Sequence, residues 1–225
     1  MKLLIDGDLL CYRMGYAVKG DFLQTVEAID NTMDFILGRF DYPEYRIYLT
    51  GKGNFRNKVS GTYKANRDPS KRPRYYKAIR EYLVDFYDAE VTEGYEADDA
   101  IGMNHVPGET VVASYDKDLR CLEGTHFNWV KNEVFEVKYP ENVWFFCYQL
   151  MVGDTSDNIK GVPKIGDKKA RKLLDLSLSP EDWFEIVKQK YQEAFGDDWF
   201  VNFDTTARLL HIKRSPTSEY YDLLQ

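Results

Sequence analysis

The sequence contains few of the residues that build disulfide frameworks or zinc centres. Its 225 residues include three cysteines, an odd number, and none stands in the paired C-x₂-C spacing of a zinc site. The three histidines, His105, His126 and His211, are far apart in the chain, and we expect them to be ordinary core or surface residues. We therefore predict neither a disulfide scaffold nor structural zinc, which fits a reducing compartment.

Long apolar segments are also missing. No run approaches the ~20 residues that a membrane-spanning helix needs. Asp6 and Asp8 interrupt the apolar segment after Lys2, so we expect no signal peptide there. With 44% hydrophobic residues and no internal repeat, the chain is not typical of a disordered protein. We predict a cytoplasmic protein, without a membrane partner, that folds as a single compact unit.

The net charge of −7 argues against a nucleic-acid partner, but the charges are unevenly distributed. Residues 52–80 carry ten basic residues against Asp68 alone, a local charge of +9, and residues 160–172 carry six against Asp167, a local charge of +5. The rest of the chain therefore carries −21. Two cationic segments beside an acidic body indicate a surface that binds phosphate groups and a separate acidic centre.

Hydrophobic patterns predict an α/β fold. Residues 2–5, 46–49 and 110–113 are typical of short apolar strands, and helical periodicity at residues 22–40, 75–86 and 97–103 lies between or beside them. This alternation predicts a central, mainly parallel sheet flanked by helices. From residue 143 onward helical patterns dominate, at residues 170–174, 180–195 and 199–212. We predict an α/β core of residues 1–142, which includes the basic segment 52–80, and a helical region of residues 143–225.

Acidic residues follow the predicted strands. Asp6 and Asp8 come after the first strand, and Asp116 and Asp118 come after residues 110–113. The carboxyl ends of parallel strands meet at one edge of a sheet, where the sites of such folds lie. Two further groups are Glu96, Asp98 and Asp99 at a helix start, and Asp154 and Asp157, which would share a face if their segment is helical.

Each acidic group also has a structural alternative. A carboxylate at a helix start caps the helix, and carboxylates around Gly153 suit a turn. A metal site is favoured because converging carboxylates repel one another unless a divalent cation compensates them. Oxygen ligands without a His or Cys cluster suit Mg²⁺ or Mn²⁺. Two such ions can activate water, orient a phosphate and stabilise the leaving oxygen.

Two segments suit phosphate binding. Residues 63–67, Tyr-Lys-Ala-Asn-Arg, place one aromatic ring beside two cations, a combination that can stack a base and hold phosphate; the alternative is a solvated charged loop. Residues 161–166, Gly-Val-Pro-Lys-Ile-Gly, indicate a tight hairpin between helices whose glycines let backbone amides approach phosphate. The basic residues 168–172 that follow favour sequence-independent binding of a duplex backbone.

Taken together, these segments resemble the 5′ nuclease superfamily: flap endonucleases, the 5′-nuclease domain of bacterial DNA polymerase I, and phage 5′-to-3′ exonucleases. The motifs that carry the resemblance are IDGD at residues 5–8, YKANR at 63–67, EADD at 96–99, SYDKD at 114–118 and GDTSDNIKGV at 153–162. The small size, and Lys71-Arg72-Pro73 after the second motif, are most similar to the phage exonucleases.

The resemblance implies a PIN-like 5′ nuclease core with a basic arch and a helix-hairpin DNA-binding element at residues 154–174. The implied ligands of two Mg²⁺ or Mn²⁺ ions are Asp6, Glu96, Asp98, Asp99, Asp116, Asp118, Asp154 and Asp157. Asp6 and Asp116 would act in catalysis through the metal, Lys64 and Arg67 would steer the scissile phosphate, and Tyr63 would stack the terminal base. The implied DNA-binding residues are Arg56, Tyr63, Lys64, Arg67, Lys71 and Arg72 in the arch, and Gly161, Val162, Lys164, Gly166, Lys168 and Lys169 in the hairpin element, which in some relatives holds K⁺.

The resemblance also implies a partner and a setting. The partner would be duplex DNA with a 5′ end, nick or flap, or an RNA·DNA hybrid, and the enzyme would be a monomer in a bacterium or a phage-infected host. One feature departs from the family pattern: many members place an aspartate at the end of the second strand, whereas residues 49–53 here, LTGKG, carry no carboxylate. With Thr50 or Gly51 in that place, we expect a weaker second metal position, a changed ion requirement or reduced activity.

Three functions follow from these residues. The leading prediction is a metal-dependent 5′-to-3′ exonuclease or structure-specific 5′ nuclease that leaves a 3′ hydroxyl and a 5′ phosphate. The second, motivated by the missing carboxylate, is a catalytically weak protein that binds DNA structures. The third is a phosphatase with an aspartyl nucleophile, suggested by the D-x-D pattern of Asp6-Gly7-Asp8, although a basic arch would have no purpose there.

Overall fold

The predicted strands form the centre of a six-stranded sheet. In the computed structural model, which describes residues 1–224, the strands are β1 (Lys2–Asp6), β2 (Glu44–Lys52), β3 (Glu90–Glu93), β4 (Thr110–Ala113), β5 (Gly124–Asn128) and β6 (Glu133–Val137). Their order is β3-β2-β1-β4-β5-β6, and only the β5–β6 pair is antiparallel within this sheet. Ile5 of β1 lies between Ile47 of β2 and Ala113 of β4. The carboxyl ends of these three strands therefore share one edge.

Helices account for most of the remaining chain. They are α1 (Gly7–Ala17), α2 (Phe22–Gly38), α3 (Arg56–Val59), α4 (Tyr76–Tyr87), α5 (Ala97–Asn104), α6 (Glu141–Val152), α7 (Asp167–Leu173), α8 (Pro180–Phe195) and α9 (Trp199–Leu210). Short 3₁₀ turns lie at Pro69–Lys71, Asp118–Cys121, Gly196–Asp198 and Tyr220–Leu224. Among the helices of residues 1–224, none is both long and apolar enough to cross a membrane.

Contacts divide the chain into two compact units. The first comprises residues 1–54 and 68–137, and the second comprises residues 55–67 with the chain from residue 138 onward. The predicted boundary after residue 142 lies five residues beyond the observed one, and the predicted basic arch is divided, because residues 55–67 belong to the second unit. The prediction of a single compact unit stays a prediction.

The first unit packs helices against its sheet. The apolar spacing of α2 buries Ile29, Met33 and Ile36 completely, in one cluster with the sheet residues Ile5 and Ile47. A capping box at Asp21 and Gln24 fixes the start of α2. Helix α1 begins directly after β1, so the last residue of the strand is also the cap of the helix.

The second unit is mainly helical. Its buried cluster includes Phe146 and Leu150 of α6, Trp183 and Tyr191 of α8 and Phe203 of α9. Helix α8 starts with proline in its first turn, as predicted, after a capping box at residues 179–182. Two short strands, β7 (Gly153–Asp154) and β8 (Ile159–Lys160), form a hairpin between α6 and α7.

The predicted α/β fold with a mainly parallel sheet and a helical C-terminal region is confirmed. Helix α1 and strands β3, β5 and β6 were not predicted. Glycines weaken the helical signal of α1, yet Gly7 is needed there, since a Cβ on it would lie 2.8 Å from the carbonyl oxygen of Tyr48. The hairpin at residues 153–160 is also a correction: Asp154 and Asp157 do not share a helix face, and residues 161–166 follow a strand rather than a helix.

Candidate functional site

Asp6 and Asp116 meet at the carboxyl edge of the sheet through one serine. Asp6 ends β1 and caps α1 by accepting from the Leu9 N–H at 3.1 Å. The Ser114 hydroxyl, directly after β4, donates to Oδ2 of Asp6 at 3.2 Å and accepts from the Asp116 N–H at 3.0 Å. Oδ1 of Asp116 accepts in turn from the Asp118 N–H at 2.9 Å. The structure therefore joins three predicted metal ligands in one hydrogen-bonded series.

Asp6 is a buried carboxyl group with a raised pKa. It is only 3% exposed, and its pKa is raised from 3.8 to about 7, first by burial and then by the charges of Asp8 and Asp116. The bonds from Leu9 and Ser114 oppose this rise in pKa. A buried carboxyl beside two others is the environment in which a bound cation would be most stabilising.

Glu96, Asp98 and Asp99 open α5. Glu96 and Asp99 form a reciprocal capping box, in which the Glu96 N–H donates to Oδ2 of Asp99 at 3.0 Å and the Asp99 N–H donates to the Glu96 side chain. Both are buried, at 7% and 0% exposure, and Asp98 is half-buried. The helix-capping alternative thus describes Glu96 and Asp99, while their role as metal ligands stays a prediction.

Thr50 stands where the sequence lacks a carboxylate, one strand from Asp6. Its N–H donates to Oδ2 of Asp8 at 3.1 Å, and its hydroxyl accepts from the Ala97 N–H at 2.9 Å, next to Glu96. Burial raises the pKa of Asp8, as does the charge of Glu96, while the bonds from Thr50 and the charge of Arg80 lower it. Thr50 therefore connects the first turn of α1 with the start of α5 without adding a negative charge.

The donor chemistry of this edge suits a hard cation. Its ionisable groups are carboxylates, which favour Mg²⁺ or Mn²⁺, and Asp6 and Asp8 have raised pKa values that a cation would lower. Within residues 1–224, however, no three acidic, histidine or cysteine side chains converge closely enough to hold a metal ion as they stand. The residues fit the ion in chemistry, and the exact ligand set stays a prediction.

The cysteines and two of the histidines hold structural positions. Cys11, Cys121 and Cys147 are all buried. His126 is buried, its Nε2 is 2.9 Å from the Leu122 carbonyl oxygen, and burial lowers its pKa to about 4. His211 is also buried.

In the second unit, the predicted phosphate-binding segment is docked on Asp157. The Tyr63 hydroxyl donates to Oδ2 of Asp157 at 3.0 Å, Lys64 Nζ lies 3.4 Å from the same oxygen, and Arg67 pairs with Oδ1. The Lys64 N–H also donates to the Asp157 carbonyl at 2.9 Å. Two predicted phosphate-binding cations are therefore held by one predicted metal ligand, a link that sequence reasoning missed.

Asp154 organises the turn that presents Asp157. Its Oδ1 accepts from the backbone N–H of Ser156 at 2.7 Å and of Asp157 at 3.3 Å, and Asp154 is 4% exposed. These bonds agree with the structural alternative for Asp154, in which its carboxylate stabilises the turn after Gly153. The predicted participation of Asp154 and Asp157 in the metal cluster stays a prediction.

Two predicted DNA-binding side chains are buried in the second unit. Arg56 is 2% exposed, and its guanidinium donates to the carbonyl oxygens of Leu209 at 2.8 Å and His211 at 2.6 Å, at the end of α9. The Tyr63 ring is 6% exposed within the apolar cluster. Both have structural roles in this conformation, and their predicted contacts with DNA stay predictions.

The hairpin at residues 161–166 divides into buried and exposed positions. A Cβ on Gly161 would lie 2.4 Å from the Gly153 nitrogen, so this glycine allows two backbone segments to pack closely. Val162, the next residue, is buried, with 5% of its surface exposed. The exposed positions at the start of α7 are Lys164, Gly166, Lys168 and Lys169. In the first unit, Lys71 and Arg72 are likewise exposed. These exposed positions are open to solvent, and their predicted contacts with a phosphate backbone stay predictions.

Sequence reasoning missed Ser114 and the positions of Thr50 and Arg80 around Asp8. Ser114 had a usable signal, since it directly follows a buried strand and stands two residues before Asp116. Arg80 had none, because it was one of ten basic residues in a charged segment.

Comparison with known proteins shows the family to which the chain belongs. Residues 1–144 match the family model described as 5′-3′ exonuclease, N-terminal resolvase-like domain. The chain is 31% identical over 197 residues to the thermostable DNA polymerase I of Thermus aquaticus, which covers 77% of this chain and 23% of the polymerase. It is 29% identical over 207 residues to a 5′-3′ exonuclease of Mycoplasmopsis pulmonis, covering 83% and 70% of the two chains. The chain thus spans about a quarter of the length of its polymerase relatives.

Solved structures share the fold. A bacteriophage T5 flap endonuclease, in a pseudo-enzyme–product complex with DNA and metal ions, has a TM-score of 0.59 and 18% identity, covering 93% of this chain and 98% of that one. A T5 5′-exonuclease with bound zinc ions has a TM-score of 0.59 and 21% identity, covering 94% and 98%. At these identities the likeness concerns the fold alone.

Proposed function

The chain belongs to the 5′-3′ exonuclease family, and on that premise we propose that it is a divalent-metal-dependent 5′ nuclease that cuts DNA near free 5′ ends or at 5′ flaps and leaves 5′-phosphorylated products. The observation that carries the proposal is the series Asp6–Ser114–Asp116 at the shared edge of β1 and β4. It lies within the matched residues 1–144 and places a buried carboxyl of raised pKa beside further carboxylates.

The proposed metal ligands of the first unit are Asp6, Glu96, Asp98, Asp99, Asp116 and Asp118. Mg²⁺ or Mn²⁺ bound there would supply activation of water and neutralisation of phosphate charge. Support comes from the all-oxygen donor set and from the T5 relatives of the same fold, whose structures hold metal ions. Ser114 would fix the positions of Asp6 and Asp116 relative to each other, because it is hydrogen-bonded to both residues.

DNA would be held by cationic side chains, all of them exposed except the half-buried Lys64. The proposed phosphate contacts are Lys64, Arg67, Lys71, Arg72, Lys164, Lys168 and Lys169, with Gly166 admitting the backbone at the start of α7. Support comes from the T5 relative that is bound to DNA. For Lys64 and Arg67, contact with phosphate competes with their ion pairs to Asp157, so we expect binding through them to weaken strongly with salt.

End-labelled duplexes test the proposal directly. With Mg²⁺, label at the 5′ end should be released before label at the 3′ end, and EDTA should stop the reaction. Asp116→Asn should lower the rate by roughly 100-fold or more, since changes to residues that only support metal ligands already reach that range. Asp85→Asn, at an exposed position of α4, removes the same charge and should leave the rate unchanged. Digestion from the 3′ end, or equal rates in EDTA, would contradict the proposal.

A second candidate, a DNA-structure-binding protein with little activity, has one observation in its favour. Thr50 occupies the position of a possible metal ligand. Among residues 1–224, no three acidic, histidine or cysteine side chains are close enough to hold a metal ion as they stand. It predicts retained binding to flap substrates with no Mg²⁺-dependent product. Product lengths on blunt, nicked, flapped and RNA·DNA substrates distinguish it from the nuclease and also separate exonuclease from flap cleavage. Family membership leaves the phosphatase without support.

A further inference from the structure

Arg80 lies inside the acidic edge of the first unit. Its Nη1 is 2.8 Å from Oδ1 of Asp8, its Nη2 donates to the Thr50 carbonyl at 2.8 Å, and its guanidinium lies 5.7 Å from the centre of the Tyr76 ring. The side chain is only 17% exposed. Arg80 therefore differs from the solvated cations of the segment in which it occurs.

The fold holds this guanidinium firmly. Its neighbours on α4, Ile79 and Leu83, are completely buried in the core. Both oxygens of Asp8 are engaged, Oδ1 by Arg80 and Oδ2 by the Thr50 N–H. Asp8 thus serves to anchor Arg80, because its two oxygens already have donors.

The partners of Arg80 adjoin predicted metal ligands on two sides. Asp8 stands two residues after Asp6, and the hydroxyl of Thr50 accepts from Ala97, the residue after Glu96. The guanidinium is therefore a permanent positive charge beside Asp8, whose carboxyl group is also affected by the negative charge of Glu96. A fixed cation in such a place repels a divalent ion and satisfies carboxylates that would otherwise bind one.

We propose that Arg80 is a built-in counter-ion that occupies one cation position at this acidic edge, so that the chain takes up fewer divalent ions than its carboxylates would otherwise hold. The proposal rests on the metal site of the proposed function and makes Arg80 a positioning residue for that site. Removing the guanidinium frees Asp8 and removes the repulsion. Arg80→Gln should therefore bind an additional Mn²⁺ ion, or bind Mn²⁺ about tenfold more tightly.

Counting bound Mn²⁺ without DNA tests this inference. The free-ion electron paramagnetic resonance signal is followed while Mn²⁺ is added to the wild type, Arg80→Gln, Arg80→Lys and Lys77→Gln. Lys77 is an exposed cation on the same helix, so its variant is the matched loss of charge and should behave as the wild type. Arg80→Lys keeps the charge and should also keep the wild-type number of ions.

The outcomes separate the two proposals. If Arg80→Gln binds the same number of ions with unchanged or weaker affinity, the role of Arg80 is overturned while the metal site stands. If the wild type binds no Mn²⁺, the metal site itself fails and both proposals fall. Should Arg80→Gln be unfolded without metal, Mn²⁺ should restore its cooperative thermal transition by replacing the missing charge, and no recovery would overturn the inference.

Discussion

Replacing Asp6 with asparagine should stabilise the metal-free protein at alkaline pH. Asp6 is 3% exposed, and its pKa is about 7 in the folded chain against 3.8 as the ordinary value. The folded state therefore binds this proton more tightly than the unfolded state. The stability that protonated Asp6 contributes is fully present below about pH 4 and is lost as the pH rises through about 7. At about 1.4 kcal/mol per pH unit, the full loss is roughly 4 kcal/mol.

Asparagine avoids this loss because it carries no charge, and its side-chain oxygen can still accept from the Leu9 N–H that caps α1. The gain in unfolding free energy should grow by roughly 2–3 kcal/mol between about pH 5 and about pH 8.5. Urea denaturation in EDTA at both pH values measures it, with Asp85→Asn as the exposed control. Added Mg²⁺ should stabilise the wild type more than Asp6→Asn at the higher pH. A gain that does not depend on pH would refute the reasoning.

Three further changes test the second unit by thermal or urea unfolding. Gly161→Ala should lower the free energy of unfolding by about 1–3 kcal/mol, because its Cβ would lie 2.4 Å from a backbone nitrogen. Gly166→Ala is the control, since its Cβ would enter open space and should leave stability unchanged. Equal stabilities of the two variants would contradict the close packing at Gly161. Arg56→Gln should lower the free energy of unfolding by roughly 2–4 kcal/mol, since it removes charged hydrogen bonds to two carbonyl oxygens at the end of α9. An unchanged free energy of unfolding would mean that these bonds do not stabilise the second unit. Tyr63→Phe should lower the free energy of unfolding by about 1–2 kcal/mol, because it removes the hydrogen bond from the hydroxyl to Asp157 and keeps the buried ring. An unchanged midpoint of the unfolding transition would show that this hydrogen bond contributes little.

The paired charges around Asp157 also bear on function. The same carboxylate holds Lys64 and Arg67, so these cations are partly neutralised inside the protein. A phosphate would take over their pairing and leave Asp157 with an uncompensated charge, which a divalent cation would then stabilise.

Helices and strands whose sequence pattern arises from neighbouring residues could be predicted from the sequence. The apolar periodicity of residues 22–40 and 180–195 gave α2 and α8 to within two residues, because amphipathic spacing reflects one buried face. The short apolar strands β1 and β4 also lie where the pattern indicates, and since parallel strand ends share an edge, Asp6 and Asp116 came together as expected.

The sequence by itself determined which residues carry charge, where β1, β4, α2 and α8 lie, and the family to which the motifs point. The tertiary structure alone decided what each charge contacts. Arg80 pairs with Asp8 across 72 residues, Tyr63 reaches Asp157 across 94, and Arg56 reaches Leu209 across 153. A cation has the same local pattern whether it faces solvent or a buried carboxylate, because its partner comes from a distant part of the chain that only folding brings near.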